Sequence, residues 1–367
     1  MYVGRLAPSP TGALHLGNIR TFMVAWLRAR SQGGKLIFRM EDLDHPKDKP
    51  GAAREVVEDL KWLGFDWDEE YVQSERKDLY RSALNFLLQP NPPNLPNLPN
   101  LPNLPNLPNL PNLPNLPNLP NLIYPCTCSR RDVENAQSAP HAGEQLYYPG
   151  TCRGRYASWA EAAKVRSPCW RFRVEPNTVV SFVDAFAGPY SQDVSATLGD
   201  FPIARDEGGA GYTLACTVDD VLMGVTEVVR GDDLLPATPA QMLLARALVP
   251  WFSQPPKPPK PSKPSNPSFL LPPSSFLLPS YLHLPLVVGP DGRRLAKRHG
   301  DTRISAFRER GWSAAKIIGL LAASCGWASP GEELSLRELL PRFTLSTIPK
   351  TPFYFPFSTA ISESACM

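Results

Sequence analysis

A short segment near the start of the chain combines residues that could bind an anionic substrate. The segment "RLAPSPTGALHLGN" covers residues 5–18 and contains Arg5, His15 and Gly17. Arg5 offers a planar fork of donors that suits a carboxylate, whereas N–H groups near Gly17 and the His15 ring suit phosphate oxygens. Glu41 can accept from an ammonium group. These residue types indicate an anionic, nucleotide-like substrate, although a structural turn before a helix with a surface histidine gives the same spacing.

The flanking segments predict the elements that would position these residues. An apolar run at 2–7 predicts a strand that ends at Pro8, and apolar residues at helical spacing predict a helix over 17–31. The segment "KLIFRMEDLD" (35–44) predicts the next strand. This order begins a parallel α/β sheet, in which ligands bind at the carboxyl ends of the strands. We expect five residues to collect at that edge: Arg5, Ser9, His15, Glu41 and Asp44.

A basic loop at residues 289–301, "GPDGRRLAKRHGD", is a second candidate for phosphate chemistry. Its glycines enclose four cations: Arg293, Arg294, Lys297 and Arg298. A solvated basic turn would look the same. A mobile basic loop can also stabilise the charge on a pentavalent phosphate in a transition state.

Three motifs in order resemble the class I aminoacyl-tRNA synthetases. "APSPTGALHLGN" resembles the HIGH signature in its glutamyl form, and "RLAKR" lies where the KMSKS loop would be. "GYTLACTVDDVLMGVTEVVRGDDLL" (211–235) is similar to the family's amino-acid-binding strand with its Arg-Gly-Asp end. The resemblance implies a Rossmann-like α/β catalytic domain that activates L-glutamate with ATP and Mg²⁺. Arg294 and Ala296 stand where the family usually has lysine and serine, so we expect a working but slower loop.

The same resemblance implies roles for individual residues. The implied catalytic residues are His15 and Lys297. The implied nucleotide-binding residues are His15, Gly17, Asn18 and Lys297. The implied glutamate-binding residues are Arg5, Ser9, Glu41, Tyr212 and Arg230.

Three cysteines have a spacing that suits a metal. Cys126, Cys128 and Cys152 would supply three thiolates, one fewer than the four ligands of a structural zinc site. His141 is one candidate for the fourth ligand, and the resemblance implies Tyr148 instead, through its phenolate oxygen. Three thiols without a metal are the alternative. The other cysteines show no partner spacing and are expected in the core or the tail: Cys169, Cys216, Cys325 and Cys366.

The region after the basic loop is short. Only 66 residues follow Asp301, and two stretches, 304–327 and 334–343, predict short helices that would contact a tRNA stem. This leaves no room for an anticodon-binding domain of normal size. The truncation and the cysteine pattern resemble the glutamyl-queuosine tRNA(Asp) synthetases, which implies transfer of glutamate to queuosine in the anticodon loop of tRNA(Asp). The alternatives are a truncated glutamyl-tRNA synthetase that charges a 3′ end and a non-catalytic tRNA-binding or scaffold protein.

The composition is that of an ordinary globular protein. The chain has 367 residues, 43% of them hydrophobic, and a net charge of +3. It shows no signal-peptide pattern and no apolar stretch of about 18 residues, so we expect a cytoplasmic monomer without a membrane span. Seven cysteines over this length do not indicate a disulfide framework.

Proline marks two low-complexity tracts. The first contains nine Asn-Leu-Pro triplets at 94–120, and the second includes "PPKPPKPSKPSNPS". Proline at every third position excludes a helix or an inner strand, so we expect disordered insertions. The predicted domains are 1–89 (first half of the catalytic domain), 90–122 (Asn-Leu-Pro insertion), 123–200 (zinc-binding subdomain), 201–249 (second half of the catalytic domain), 250–280 (Pro/Lys/Ser-rich insertion) and 281–367 (basic loop and C-terminal helices).

Overall fold

The structure is a computed structural model, and it describes most of both halves of the predicted catalytic domain. It describes residues 1–10, 13–43, 51–89, 122–136, 146–205, 209–253, 255–257, 259–261, 278–293, 295 and 301–355. Several predicted features lie outside the described residues: the Asn-Leu-Pro repeat, most of the second proline tract, Asp44, His141, Arg294, Ala296, Lys297, Arg298 and Cys366. Within the described ranges, we find no helix with the length and apolar character that a membrane crossing requires.

Strands and helices alternate through the first half of the described chain and again around the second half of the predicted catalytic domain. The strands are β1 Val3–Leu6, β2 Lys35–Met40, β3 Glu69–Val72, β4 Ile123–Cys126, β5 Cys169–Phe172, β6 Val179–Asp184, β7 Gly188–Asp193, β8 Phe201–Ala204, β9 Glu227–Gly231, β10 Ser280–Leu284, β11 Val287–Val288 and β12 Phe353–Tyr354. The helices are α1 Leu16–Ser31, α2 Ala52–Trp62, α3 Lys77–Leu87, α4 Arg130–Ala136, α5 Trp159–Ala163, α6 Val194–Thr197, α7 Tyr212–Leu222, α8 Thr238–Ala247, α9 Val249–Phe252, α10 Ile304–Glu309 and α11 Ala314–Ala323.

Two groups of parallel strands form the centre of the fold. β1, β2 and β3 pair in that order, and β9 pairs with β10. β1 lies beside β9, because the Thr226 N–H donates to the Val3 carbonyl at 2.9 Å, just before β9 begins. The predicted start of a parallel α/β sheet is therefore confirmed, and the strand order brings β1 and β9 together at the centre.

Helix α1 packs the C-terminal helices onto the first sheet. Its apolar stripe, which includes Leu16, Ile19 and Met23, is fully buried in one cluster with α2, α10 and α11. Arg20 is also buried on this helix, and its donors reach the Pro285 carbonyl at 2.8 Å and the Ser324 hydroxyl at 3.0 Å. Because every one of these polar atoms has a partner, Arg20 can lie inside an apolar interface.

A second apolar cluster joins α3 to the antiparallel sheet β4-β5-β8 and to α7, α8 and α9. Leu87 and Ile123 both belong to it, so the two ends of the Asn-Leu-Pro insertion leave from one core. The cost of closing a loop grows slowly with its length, so the core tolerates a long insertion there. The predicted domain boundary between residues 200 and 201 falls just before β8, and β8 pairs with β5 in this sheet. The domain limits stay a prediction.

Two predictions about local structure were wrong. The first part of 211–235, a region expected as a strand, is the helix α7, because Leu214, Val218 and Val221 recur at helical spacing and are buried; the strand β9 is short. The segment 334–343, expected as a helix, forms turns and a 3-10 helix at Leu340–Arg342. Proline at position 341 has no N–H to donate to a helical hydrogen bond.

Candidate active site

Two arginines at the carboxyl ends of β1 and β2 share one carboxylate. Arg5 is buried, and its Nη1 donates to the Val229 carbonyl at 2.9 Å. Its Nε lies 3.8 Å from Oδ1 of Asp220 on α7, and Nη1 of Arg39 donates to the same oxygen at 2.6 Å. Asp220 therefore joins the two strand ends. Nε of Arg5 faces the Asp220 carboxylate and not a substrate carboxylate.

Glu41, just after β2, is held by two donors on one oxygen. Its Oε1 accepts from Nη2 of Arg39 at 2.9 Å and from the Cys216 thiol at 3.2 Å. Burial raises the pKa of Cys216, so the neutral thiol acts as the donor. Burial works to lower the pKa of Arg39, but Asp220 and Glu41 raise it above its ordinary value. No hydrogen bond among the described residues reaches Oε2 of Glu41, so this oxygen can accept from a ligand.

β9 and β10 bring Arg230 beside His283, because their parallel register pairs these two residues. Arg230 is 4% exposed; its Nε donates to Nε2 of His283 at 3.0 Å and its Nη2 to the Thr238 hydroxyl at 2.7 Å. The guanidinium carbon lies 5.4 Å from the ring centre of Tyr281. Arg230 is thus held by three side chains at the carboxyl end of β9.

Tyr212 begins α7 close to these charges. Its side chain is partly exposed, at 44%. Desolvation of its hydroxyl and the Cys216 thiol raise its pKa, whereas Arg230 and Arg5 lower it. The structure therefore brings four of the predicted glutamate-binding residues into one neighbourhood: Arg5, Glu41, Tyr212 and Arg230. The fifth, Ser9, lies on the exposed loop after β1.

His15 caps the N-terminus of α1. Its Nδ1 accepts from the Gly17 N–H at 3.1 Å, and its own N–H donates to Oδ1 of Asn18 at 3.2 Å. The Gly17 N–H, which we expected to face phosphate, is thus used by the cap. Because Nδ1 accepts, the neutral ring carries its proton on Nε2, which makes Nε2 a donor. A Cβ at Gly17 would lie 3.0 Å from the ring, so glycine allows this conformation.

The end of the basic loop returns to the same helix terminus. Arg303 forms an antiparallel bridge with His15, and the Ile304 N–H donates to the Leu14 carbonyl at 2.9 Å. Lys297 itself lies outside the described residues. The segment that follows the loop is nevertheless bonded directly to the residues that precede α1.

Three cysteines and one tyrosine form a compact donor cluster. The sulfurs of Cys126, Cys128 and Cys152 lie within 4.8 Å of one another. The Tyr148 hydroxyl lies 3.2 Å from Sγ of Cys126 and 3.8 Å from Sγ of Cys128, and it accepts from the Cys152 N–H at 2.9 Å. Four zinc-bound donors at the corners of a tetrahedron stand roughly 3.5–3.8 Å apart. The spacing of these four side chains therefore fits one metal ion.

Arg171 and Cys169, both on β5, flank this cluster. Nε of Arg171 donates to Sγ of Cys126 at 3.2 Å, and its guanidinium lies 3.7 Å from the ring centre of Tyr148. Cys169 is paired with Cys126 across the antiparallel ladder. Cys169, expected in the core or the tail, is instead half-buried beside this cluster, because strand register and not sequence spacing brings it there. Cys325 is a core residue as expected, while Cys216 is buried in contact with Glu41.

Several contributors to the site were not anticipated from the sequence. Asp220, Arg39 and His283 are buried polar residues that contact predicted site residues. A charged or polar residue inside an apolar strand, such as Arg39 in "KLIFRM" or His283 in "SYLHL", is the signal that could have singled them out.

A family comparison covers both halves of this site. Residues 2–91 and 122–255 match the family model described as "tRNA synthetases class I (E and Q), catalytic domain". The fold resembles a solved glutamate tRNA ligase from Elizabethkingia meningosepticum, with a TM-score of 0.68 and 24% identity over 98% of this chain and 68% of that one. Fold and site together define a class I tRNA synthetase catalytic domain.

Relatives of similar length are more specific. "Glutamyl-Q tRNA(Asp) synthetase" of Symbiobacterium thermophilum is 38% identical over 99% of both chains. The protein of that name from Rhodopirellula baltica is 40% identical over 92% of this chain and 88% of its own. "Glutamate--tRNA ligase" of Aquifex aeolicus is 34% identical, and the match spans 96% of this chain and 63% of that protein. This chain belongs to the glutamyl-Q tRNA(Asp) synthetase family and is a ligase.

Proposed function

We propose that this chain activates L-glutamate with ATP and transfers the glutamyl group to the queuosine base in the anticodon loop of tRNA(Asp). The proposal depends mainly on one observation, the similarity over 99% of both chains to a synthetase of that name. The grouping of Arg5, Glu41, Tyr212 and Arg230 at the strand ends supports it.

The glutamate would lie between Arg230 and Glu41. The guanidinium of Arg230 suits a carboxylate, and Oε2 of Glu41 suits the ammonium group, with the Tyr212 hydroxyl as a further polar contact. Arg5 adds positive charge, and Ser9 on the neighbouring loop offers a hydroxyl. A pocket with both a cation and an anion binds an amino acid in preference to simple acids and simple amines.

The nucleotide would lie at the N-terminus of α1. An oxygen of the glutamate α-carboxylate attacks the α-phosphorus, the bond from phosphorus to the bridging oxygen breaks, and pyrophosphate leaves. Nε2 of His15 and the positive end of the α1 dipole would stabilise the phosphates, and Lys297 the charge on pyrophosphate. Class I synthetases use ATP with Mg²⁺, which offsets phosphate charge. A nucleophilic group of queuosine then attacks the acyl carbon of the adenylate and AMP leaves.

Glutamate-dependent exchange of labelled pyrophosphate into ATP tests the activation step. We expect exchange with glutamate and none with glutamine at the same concentration, because the pocket offers a cation to a second carboxylate. Absence of glutamate-dependent exchange, both with and without tRNA, would overturn the proposed activity.

Zinc is the metal that the cysteine cluster suits. Three thiols and a phenol at these distances match its preference for four soft or borderline donors. The Cys152 N–H stabilises negative charge on the Tyr148 oxygen, and Arg171 offsets the charge of the thiolates. Bound there, zinc would hold β4 to the segment around Cys152.

Gly199→Ala is expected to weaken zinc binding by about tenfold or more. A Cβ at Gly199 would lie 2.0 Å from the Tyr148 carbonyl oxygen, so Tyr148 would have to move together with its hydroxyl. Gly154→Ala is the matched control, because Gly154 has the same φ of 66° and nothing within 4 Å of its Cβ. Titration against a chromogenic chelator measures both. Equal losses in the two variants would mean that backbone strain, and not the position of Tyr148, is responsible.

Charging of a tRNA 3′ end is the second candidate. The 34% identity to the glutamate–tRNA ligase of Aquifex aeolicus favours it, although this chain spans only 63% of that protein. A non-catalytic scaffold is less consistent with the structure, because a scaffold has no need for buried, hydrogen-bonded arginines such as Arg39 and Arg230. The two catalytic candidates share the activation step and differ in the acceptor.

A further inference from the structure

We propose that Asp184 and His283 are positioning residues that set the orientation in which Arg230 binds glutamate. This inference depends on the proposed function, since it concerns how the same site holds its substrate. Its basis is a continuous set of hydrogen bonds from β6 through β10 to β9, all among buried side chains.

Asp184 is fixed first. It ends β6, and its Oδ1 accepts from the N–H groups of Phe186 at 2.9 Å, Ala187 at 2.7 Å and His283 at 3.1 Å. Its Oδ2 lies 2.6 Å from Nδ1 of His283. Backbone donors thus immobilise the carboxylate, and one oxygen is left to face the histidine ring.

The histidine then presents an acceptor to Arg230. Because Nδ1 of His283 donates to Asp184, the neutral ring has its lone pair on Nε2, which accepts Nε–H of Arg230 at 3.0 Å. The Thr238 hydroxyl oxygen accepts a hydrogen bond from Nη2 of Arg230 at 2.7 Å. Nε and Nη2 form one edge of the guanidinium, so the end with Nη1 is directed away from these two acceptors. No described residue hydrogen-bonds to Nη1, which suits it to a substrate carboxylate.

The surroundings keep this ring neutral. The charged and titratable groups around His283 are Asp184 from β6, Arg230 from β9, Arg5 from β1 and Tyr281 from its own strand. Burial lowers the pKa of His283 below its ordinary 6.5; the bond to Asp184 opposes this, and Arg230 and Arg5 reinforce it. The neutral form is thus favoured, and its contribution to stability, which is present above pH 6.5, is lost as the pH falls below that value through the folded pKa.

Four variants separate positioning from general stability. His283→Gln retains an acceptor near Nε2 and His283→Leu removes it. In Asp184→Asn the backbone donors hold the carbonyl oxygen at the Oδ1 position, so the NH₂ group faces Nδ1 and forces the tautomer whose Nε2–H opposes Arg230. Leu282→Ala is the control, because it empties a buried position on the same strand without touching Arg230.

Pyrophosphate exchange then measures KM for glutamate and for ATP in folded variants. We expect the glutamate KM to rise on the order of tenfold in His283→Leu and Asp184→Asn, with the ATP KM unchanged, and by about threefold or less in His283→Gln. As the pH falls below 6.5 through the folded pKa of His283, the wild-type glutamate KM should rise, and this rise should be absent from His283→Gln.

Two results would overturn the inference. One is a wild-type glutamate KM in folded His283→Leu and Asp184→Asn. The other is an equal rise in Leu282→Ala, which would assign the effect to packing. Loss of glutamate-dependent exchange in the wild-type chain is a different result, because it would remove the proposed function itself.

Discussion

Replacing Arg230 by lysine is expected to lower kcat/KM for glutamate on the order of a thousandfold. Arg230 is buried, and its Nε and Nη2 already bond to His283 and Thr238. A lysine ammonium is a compact point charge without the planar fork of a guanidinium, so it cannot reach both acceptors and also direct a donor to the carboxylate as Nη1 does. Steady-state pyrophosphate exchange measures the effect.

The control for this prediction is Arg308→Lys. Arg308 is another arginine whose guanidinium is bonded to a side chain, in an ion pair with Asp59 at 2.9 Å, but it joins α10 to α2. We expect little change in kcat/KM there. A fall of less than about fivefold in Arg230→Lys would contradict the role assigned to Arg230.

Replacing Asp219 by asparagine is expected to lower the free energy of unfolding by about 3–5 kcal/mol. Asp219 is fully buried and accepts from Arg76 at 2.8 Å, Gln73 at 3.0 Å and Tyr80 at 2.7 Å. It also lies 3.8 Å from Nε of Arg39. Asparagine keeps the shape but leaves two buried guanidinium groups without this counter-charge. Urea unfolding of the full chain gives the free energy directly.

Asp78→Asn is the matched comparison. Asp78 pairs with Arg81 on the surface of α3, and its side chain is 97% exposed. Exposed pairs contribute about 0–1 kcal/mol, so the stability should hardly change. If Asp219→Asn lowered the free energy of unfolding by less than about 1 kcal/mol, the buried contacts among Arg76, Tyr80 and Arg39 would not depend on this carboxylate.

The parts of the fold that were predictable are those with a strong local pattern. β1, α1 and β2 follow directly from apolar spacing and from the prolines and glycines between them. The region 211–235 was misassigned because its apolar residues fit a buried strand and a buried helix equally well until the core contacts are known. Only about five of its residues, Glu227–Gly231, form a strand.

The site was predictable where neighbours in sequence are also neighbours in space. Cys126 and Cys128 lie two residues apart in one segment, and Tyr148 and Cys152 four residues apart in another, so spacing and family resemblance could indicate the cluster. Cys169 and His283 could not be placed in this way. Cys169 reaches Cys126, and His283 reaches Arg230, through strand register across 43 and 53 positions of sequence.

The measurement that tests the central claim most directly uses two tRNAs from which the 3′-terminal adenosine has been removed, which leaves queuosine intact. The protein is incubated with ATP, labelled glutamate and either shortened queuosine-containing tRNA(Asp) or shortened tRNA(Glu), with the intact tRNAs alongside. The account predicts label on shortened tRNA(Asp), because the acceptor is a base and not the terminal ribose. Label on intact tRNA(Glu) alone, and none on shortened tRNA(Asp), would contradict it.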